Sequence, residues 1–454
     1  MLNETMRRIA AVAMLLLPLQ ACSGVDPVRA RCVSGLWHVP DGTAAALTVR
    51  EGKTLRITAF DGRAWTFSPE ENLWRGSAGH SAAPGDATLD DRRCSEGSVQ
   101  LRFKGAAIEL RKAPLEQRTI RFASGTETLI GKLVLPAGTT PDALVVLLHG
   151  SEARSAIAAN PLQYLLPSQN IAAFVFDKRG TGDSGGAYTQ NLKVLANDAN
   201  QAIIAARRAL GRPAKTVLLG GSQGAWVGPL AAATAEAAAR PDRVIAAYGL
   251  AQPPIEEDRE EVFDDLRRKG FGNPAILAQA REITDATATV MRSNFTQGLD
   301  RLDAMKAKHG SERWYGAIDG EFTGDFLSMP SWFLSFIGPF FDEGMLWDYD
   351  PRPVLERLDV PMLWVLAGQD SEAPHATTLE ILRRLQAEKA RPIDIAIFER
   401  AEHAMVLFRE TSGERTPTAV APGYFALLAT WIRNDTLPPP QPDVTTFART
   451  QLVD

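Results

Sequence analysis

Thr216-Val-Leu-Leu219, Gly220-Gly221-Ser222-Gln223-Gly224 and the alanine-rich run from Ala225 to Ala239 follow one another without a break. The first piece is a short apolar run of the kind that forms a buried strand, and the last has a helical pattern. Between them stands a serine set among glycines. A chain that passes from strand to helix this fast must turn sharply, and side chains at the flanking positions would collide with the crowded backbone. Such a turn lifts the serine hydroxyl above a sheet and points the next helix N-terminus at it. Gly-x-Ser-x-Gly is a weak pattern in a chain with 36 glycines. Its strand–turn–helix setting makes Ser222 a candidate nucleophile.

On both sides of this turn the texture repeats. Ala143–Leu148, Ile171–Phe176, Val244–Gly249, Met362–Leu366 and Ile393–Phe398 are near-continuous apolar runs, as expected of strands buried on both faces. Leu195–Leu210 and Thr378–Lys389 are amphipathic and helical in pattern, and Thr119–Pro136 reads as a hairpin. Alternating strands and helices predict an α/β fold with a mainly parallel sheet and helices on both faces. Residues 252–360 break the rhythm with helical pattern and many aromatics, Trp314, Phe322, Phe326, Trp332, Phe336 and Phe340 among them. A structureless loop of that length is unusual, so a helical cap is expected. Its aromatics either form its own core or suit an apolar acyl group.

Three more signals join Ser222. Leu148-His149-Gly150-Ser151 follows a strand directly, Leu366-Ala-Gly-Gln-Asp370 closes another, and Glu402-His403-Ala404 comes just after the next. The order Ser222, Asp370, His403 is that of a nucleophile, an acid and a base, each at the carboxyl end of a strand. His403 would take the serine proton, and Asp370 would fix the imidazole tautomer. Backbone N–H groups of Ser151 and Gln223 would hold the oxyanion. Glu372 is a rival acid and His375 a rival base. His149 reads as a brace for its loop.

On these motifs the region from Thr119 to Asn434 resembles the α/β-hydrolase superfamily. Asp177-Lys-Arg-Gly180-Thr-Gly182-Asp-Ser184-Gly185 is similar to a structural turn of that family. The resemblance runs towards exported esterases and aminopeptidase- or prolyl-oligopeptidase-like hydrolases. It implies a serine carboxylesterase working through an acyl-enzyme, with no cofactor and no metal. A peptidase with the same residues is the alternative, and a non-catalytic binding protein on the same frame a third reading. An exopeptidase would need acidic side chains for the substrate's amine. The run Glu256–Asp265 offers them, although with Arg267 and Arg268 nearby it reads as a solvated helix face.

Residues 23–115 carry short alternating runs separated by turn-formers, the pattern of a small antiparallel β domain. No catalytic constellation stands out there, and His38 and His80 read as surface or turn residues. Residues 116–436 form the expected catalytic domain, and 437–454 a Pro-rich extended tail.

The first 22 residues have the form of a signal peptide. Arg7 and Arg8 precede the apolar run Ala11–Leu19, and Leu19-Gln20-Ala21-Cys22 resembles a bacterial lipobox. A lipidated Cys22 would anchor the protein to a membrane. Ser23 lacks the Asp type of inner-membrane retention signal, so the periplasmic side of an outer membrane is expected. A plain cleaved secretory signal is the alternative. Of three cysteines, Cys32 and Cys94 would then pair in an oxidising compartment, or remain two buried thiols. A net charge of −5 gives no reason to expect nucleic acid as a partner. A small ester or a short peptide is the expected ligand.

Overall fold

A computed structural model describes residues 25–71, 73–80, 85–212, 214–411 and 413–449. The expected signal peptide and Cys22 lie outside the described residues, as does the end of the tail. Among the described residues no helix is long and apolar enough to cross a membrane.

Eight strands form the first unit. They are β1 (Gly35–His38), β2 (Ala44–Arg50), β3 (Thr54–Ala59), β4 (Ala64–Pro69), β5 (Trp74–Ala78), β6 (Ala87–Asp90), β7 (Ser98–Phe103) and β8 (Ala106–Lys112). Each pairs antiparallel with the next, and β1 pairs with β8, closing a barrel without a free edge. Alternate residues fill the interior: Trp37, Leu47, Val49, Leu55, Ile57 and Phe67 are buried together. Cys32 and Cys94 are disulfide-bonded and link the helix Pro27–Val33 to the short 3₁₀ turn at Cys94.

The strand period of two decides what the barrel's outer face does. On β2, Ala44 and Ala46 point away from the interior and pack with Ala156, Leu162 and Leu165 of the second unit. Phe60 meets Phe425 at 6.1 Å between ring centres. Backbone bonds add to this, from Val420 N–H to Gly62 O (2.8 Å) and from His80 N–H to Pro417 O (3.2 Å). One wall of the barrel is therefore an interface, not a solvated surface.

The second unit is a nine-stranded sheet. Its strands are β9 (Leu115–Ser124), β10 (Glu127–Pro136), β11 (Ala143–Leu147), β12 (Ile171–Phe176), β13 (Lys215–Gly221), β14 (Arg243–Ala247), β15 (Met362–Ala367), β16 (Ile393–Phe398) and β19 (Val444–Phe447). Their order is β19-β16-β15-β14-β13-β11-β12-β10-β9. From β12 through β16 the neighbours are parallel, while β9, β10 and β19 are antiparallel edges. The stretch read as an extended tail is thus partly a strand: residues 444–447 extend the sheet beyond β16. Helices Leu192–Leu210, Gly224–Thr234 and Ala376–Lys389 cover one face, and Tyr424–Asn434 covers the other.

The chain leaves β11 towards one face and β13 towards the other. Neighbouring strands whose connections diverge open a crevice at their carboxyl ends, and both candidate loops end there. The hairpin of β17 (Val406–Thr411) and β18 (Glu414–Val420) stands beside it. Between β14 and β15 the chain forms helices, chiefly Ile255–Arg268, Pro274–Arg292 and Leu299–His309. The aromatics of this segment divide. Phe295, Phe322 and Phe326 build its own core, whereas Trp332, Phe336 and Phe340 are exposed.

Candidate active site

Ser222 sits at the end of β13 with φ +52°, a left-handed backbone that a residue with a side chain rarely adopts. The surroundings enforce it. A Cβ on Gly220 would lie 2.5 Å from the carbonyl oxygen of Gly224, and one on Gly221 would lie 2.2 Å from the Tyr248 ring. The first clash is with backbone, as expected; the second is with an aromatic side chain absent from the motif.

Asp370 and His403 come together as the order of motifs predicts. His403 Nδ1 lies 3.1 Å from both carboxylate oxygens of Asp370. The acid is buried, and its Oδ1 also accepts the N–H groups of Glu372 (3.1 Å) and Ala373 (2.8 Å). The rival acid occupies the other side of the ring, with Glu372 Oε2 3.5 Å from His403 Nε2. The rival base, His375, does not line the cavity that holds Ser222. That cavity, about 530 Å³ in volume, takes in both Ser222 and His403. Among the described residues no hydrogen bond joins the Ser222 hydroxyl to His403.

Electrostatics set the protonation. Burial disfavours the imidazolium, but the carboxylates of Asp370, Glu372 and Glu257 outweigh it and raise the His403 pKa to about 10. Burial raises the Asp370 pKa, and His403 draws it back.

Two positioning groups escaped the sequence reading. Glu402 accepts from the N–H groups of Ser371 (3.0 Å) and His403 (2.6 Å) and pairs with Arg415 of β18 at 2.9 Å. It ties together the two loops that carry Asp370 and His403. Tyr248 packs edge-on against the His403 ring, 5.2 Å between centres. Neither has a local motif; both follow only from which strand ends are adjacent.

The loop after β11 is braced from below. His149 contacts Phe176 O through Nε2, and burial lowers its pKa to about 4, which keeps it neutral. Lys178 donates to Gly150 O at 2.8 Å, and Tyr188 donates to Ser151 O. Among the described residues no acceptor engages the N–H of Ser151 or of Gln223. The Asp177–Gly185 turn is structural. Asp177 accepts from Ser155 Oγ (2.8 Å), Ser184 Oγ donates to Asp177 O (2.7 Å), and Arg179 pairs with Asp198 (2.6 Å).

Three expectations are corrected. None of the aromatics of residues 252–360 lines the cavity, and Glu343 is what that segment contributes. An apolar acyl pocket built from those rings is therefore absent among the described residues: Phe295, Phe322 and Phe326 pack into the segment's own core, and Trp332, Phe336 and Phe340 face outward away from the cavity. His80, read as a surface or turn residue, lines the cavity, together with Arg50 and Arg56 of the barrel. The acidic helix is not simply a solvated face. Glu257 and Asp258 are buried, and burial raises their pKa values to about 8 and about 6. Asp258 is satisfied by the N–H groups of Phe322 (3.0 Å) and Thr323 (2.9 Å).

Comparison with known proteins covers the same ground. No curated protein matches the chain. Among solved structures it is similar to an esterase of Pyrococcus furiosus, at 17% identity over 64% of this chain and 85% of that one, with a TM-score of 0.39. It is also similar to an acylaminoacyl peptidase of Pyrococcus horikoshii, at 14% identity over 79% of this chain and 52% of that one, with a TM-score of 0.40. A proline iminopeptidase of Mycobacterium smegmatis matches at 14% identity over 70% of this chain and 97% of that one, with a TM-score of 0.39. The model of the alpha/beta hydrolase family matches residues 145–421, more than half of the chain, from within β11 to the end of β18. The chain belongs to the alpha/beta hydrolase family.

Proposed function

We propose that the protein is a serine hydrolase that cleaves a carboxylic ester through an acyl-enzyme on Ser222. The observation that carries this reading is Asp370 held on Nδ1 of His403, in a cavity shared with a serine on a strained strand–helix turn. In the forward step His403 Nε2 takes the Ser222 proton as Oγ attacks the carbonyl carbon. The oxyanion forms beside the N–H groups of Ser151 and Gln223. Collapse expels the alcohol, which receives the proton from His403, and water then hydrolyses the acyl-enzyme by the same route. The helical segment 252–360 serves as a cap, tied down where Glu343 O accepts from Gln190 N–H (2.7 Å) and Thr189 Oγ1 (2.9 Å).

A peptidase reading has one observation of its own. Glu257 is buried near enough to His403 for the imidazolium to draw its pKa down, with Glu321 beside it. A buried carboxylate with a second, half-buried one beside it, both within electrostatic range of the base, suits a substrate amine. The two readings separate by experiment. Fluorophosphonate labelling at Ser222 with turnover of p-nitrophenyl esters alone supports the esterase. Turnover of aminoacyl anilides supports the peptidase, and a folded sample that does not label refutes both.

The charge around His403 gives a pH prediction. A base held protonated up to about pH 10 acts only as it loses its proton, so kcat/KM should rise into the alkaline range. Glu372→Gln removes one of the anions that raise this pKa. The limb should move to lower pH by about one unit, the low end for a neighbouring charge because water screens this exposed carboxylate. An unmoved limb in the pH profile of kcat/KM would show that Glu372 does not set the base.

Export and lipid anchoring at Cys22 belong to the same proposal and rest on the lipobox-like Leu19–Cys22. Cys22→Ser should move the protein from the membrane to the soluble fraction on cell fractionation, and unchanged membrane retention would sink the anchor.

A further inference from the structure

The barrel places cations in the cavity that holds Ser222. On β2 the residues facing away from the barrel interior include Ala44, Ala46 and Arg50, and on β3 Arg56 and Thr58. The register pairs Arg50 with Thr54 and Thr48 with Arg56, so the two arginines are diagonal neighbours on one face. Like charges so placed repel. Ala44 and Ala46, nearer the start of the strand, meet the hydrolase as a dry contact. Arg50 and Arg56 reach the cavity wall instead, beside Thr58 and His80.

Their hydrogen-bonding capacity is left over. Arg56 donates to His80 O at 3.2 Å, yet the Nε atoms of both Arg50 and Arg56 are buried with no partner among the described residues. No carboxylate among the described residues lies within 4 Å of either guanidinium. Three acids line the same cavity, and their placement explains this. Glu343 is bonded to Gln190, Glu372 faces His403, and Glu152 favours the Arg50 cation only from beyond contact distance. Arg154, also on the wall, is 3.9 Å from Glu51. The strain is visible in the ionisation. Burial, then Arg154, brings the Arg50 pKa down to about 10, and burial with Arg50 and Arg154 brings Arg56 to about 9. His80, next to them, is driven to about 3 by burial and both arginines, and so is neutral.

A buried guanidinium without an acceptor is costly, and a planar carboxylate satisfies its fork of donors. We propose that Arg50 and Arg56 form a carboxylate-binding subsite of the Ser222 site, so that the preferred substrate carries a free carboxylate on the portion that reaches the barrel. The proposal rests on Ser222 as nucleophile. It gives the barrel a task, selection of substrate, and replaces the apolar acyl pocket with a polar one. A monoanion suits the wall better than a dianionic phosphate, because Glu152, Glu343 and Glu372 border the same space.

The test uses the full chain. Mono-p-nitrophenyl succinate is compared with its methyl ester, and an aminoacyl dipeptide with its C-terminal amide. The first pair reads an acid on an ester and the second the carboxylate end of a peptide. The wild type should prefer the acid in one pair by about tenfold or more in kcat/KM, the scale of a charged hydrogen bond. Arg56→Gln and Arg50→Gln should each collapse that acid-to-neutral ratio, and Arg56→Lys should restore part of it. Equal ratios in wild type and variants overturn the subsite. Calorimetric titration with glutarate is read in parallel, since it needs no turnover. Glutarate binding weakened tenfold by Arg56→Gln upholds the subsite even where Ser222 does not label, an outcome that refutes only the nucleophile. Absent glutarate binding together with no acid preference overturns the subsite whatever Ser222 does.

Discussion

Ser222→Ala is expected to lower kcat for any accepted ester by about 10⁴-fold or more, while the melting temperature stays nearly unchanged. The two halves of this expectation have separate causes. Turnover falls because, on the proposed mechanism, this hydroxyl forms the acyl bond. What remains is the rate supplied by the oxyanion donors and by binding alone. Stability holds because the side chain carries no hydrogen bond among the described residues, so its loss strands no partner. The backbone also keeps its cost, since alanine is as ill-suited to φ +52° as serine. Ser222→Gly makes a sharper control. It should be equally inactive but more stable, by about 1 kcal/mol, because glycine relieves the left-handed turn. Equal melting temperatures for the Ala and Gly variants would mean that the turn is not strained. Turnover by the Ala variant would remove Ser222 from the chemistry.

Much of this frame was legible in the sequence because it is local. Apolar runs such as Ala143–Leu147 and Ile393–Phe398 are strands buried on both faces, and nothing but a central parallel sheet requires them. The turn at Ser222 was legible for the same reason: glycine is needed where the backbone crowds, and Gly220 meets the Gly224 backbone. Contacts between distant segments were not legible. An outward-facing arginine on a strand reads as solvated, and only the docking of β2 and β3 on the second unit turns Arg50 and Arg56 into cavity residues. The acidic helix misled by composition. Glu257 and Asp258 look like a wet face, yet the Asp258 carboxylate caps the chain at Phe322 and Thr323 from far along the sequence. Tyr248 and Glu402 act through neighbours on other strands, so neither leaves a motif.

Asp370→Asn should lower the alkaline plateau of kcat by about 10⁴-fold with the fold intact. The geometry explains why so small a change matters. Oδ1 accepts the N–H groups of Glu372 and Ala373, and an asparagine can keep its oxygen there. Its amide nitrogen then takes the place of Oδ2, 3.1 Å from His403 Nδ1. A donor now faces Nδ1, so the neutral ring must carry its proton on Nε2, and the nitrogen that should receive the serine proton is already occupied. The variant also loses the carboxylate that contributes most to raising the His403 pKa. The alkaline limb should therefore move to lower pH while the plateau falls, a pairing that unfolding would not produce. Glu372→Gln should move the same limb without a comparable fall in plateau, because Glu372 faces Nε2 and does not choose the tautomer. If Asp370→Asn kept its plateau and Glu372→Gln lost it, the assignment of the acid would be reversed. The contact of Asp370 with Nδ1, buried and braced by two backbone donors, argues against that outcome.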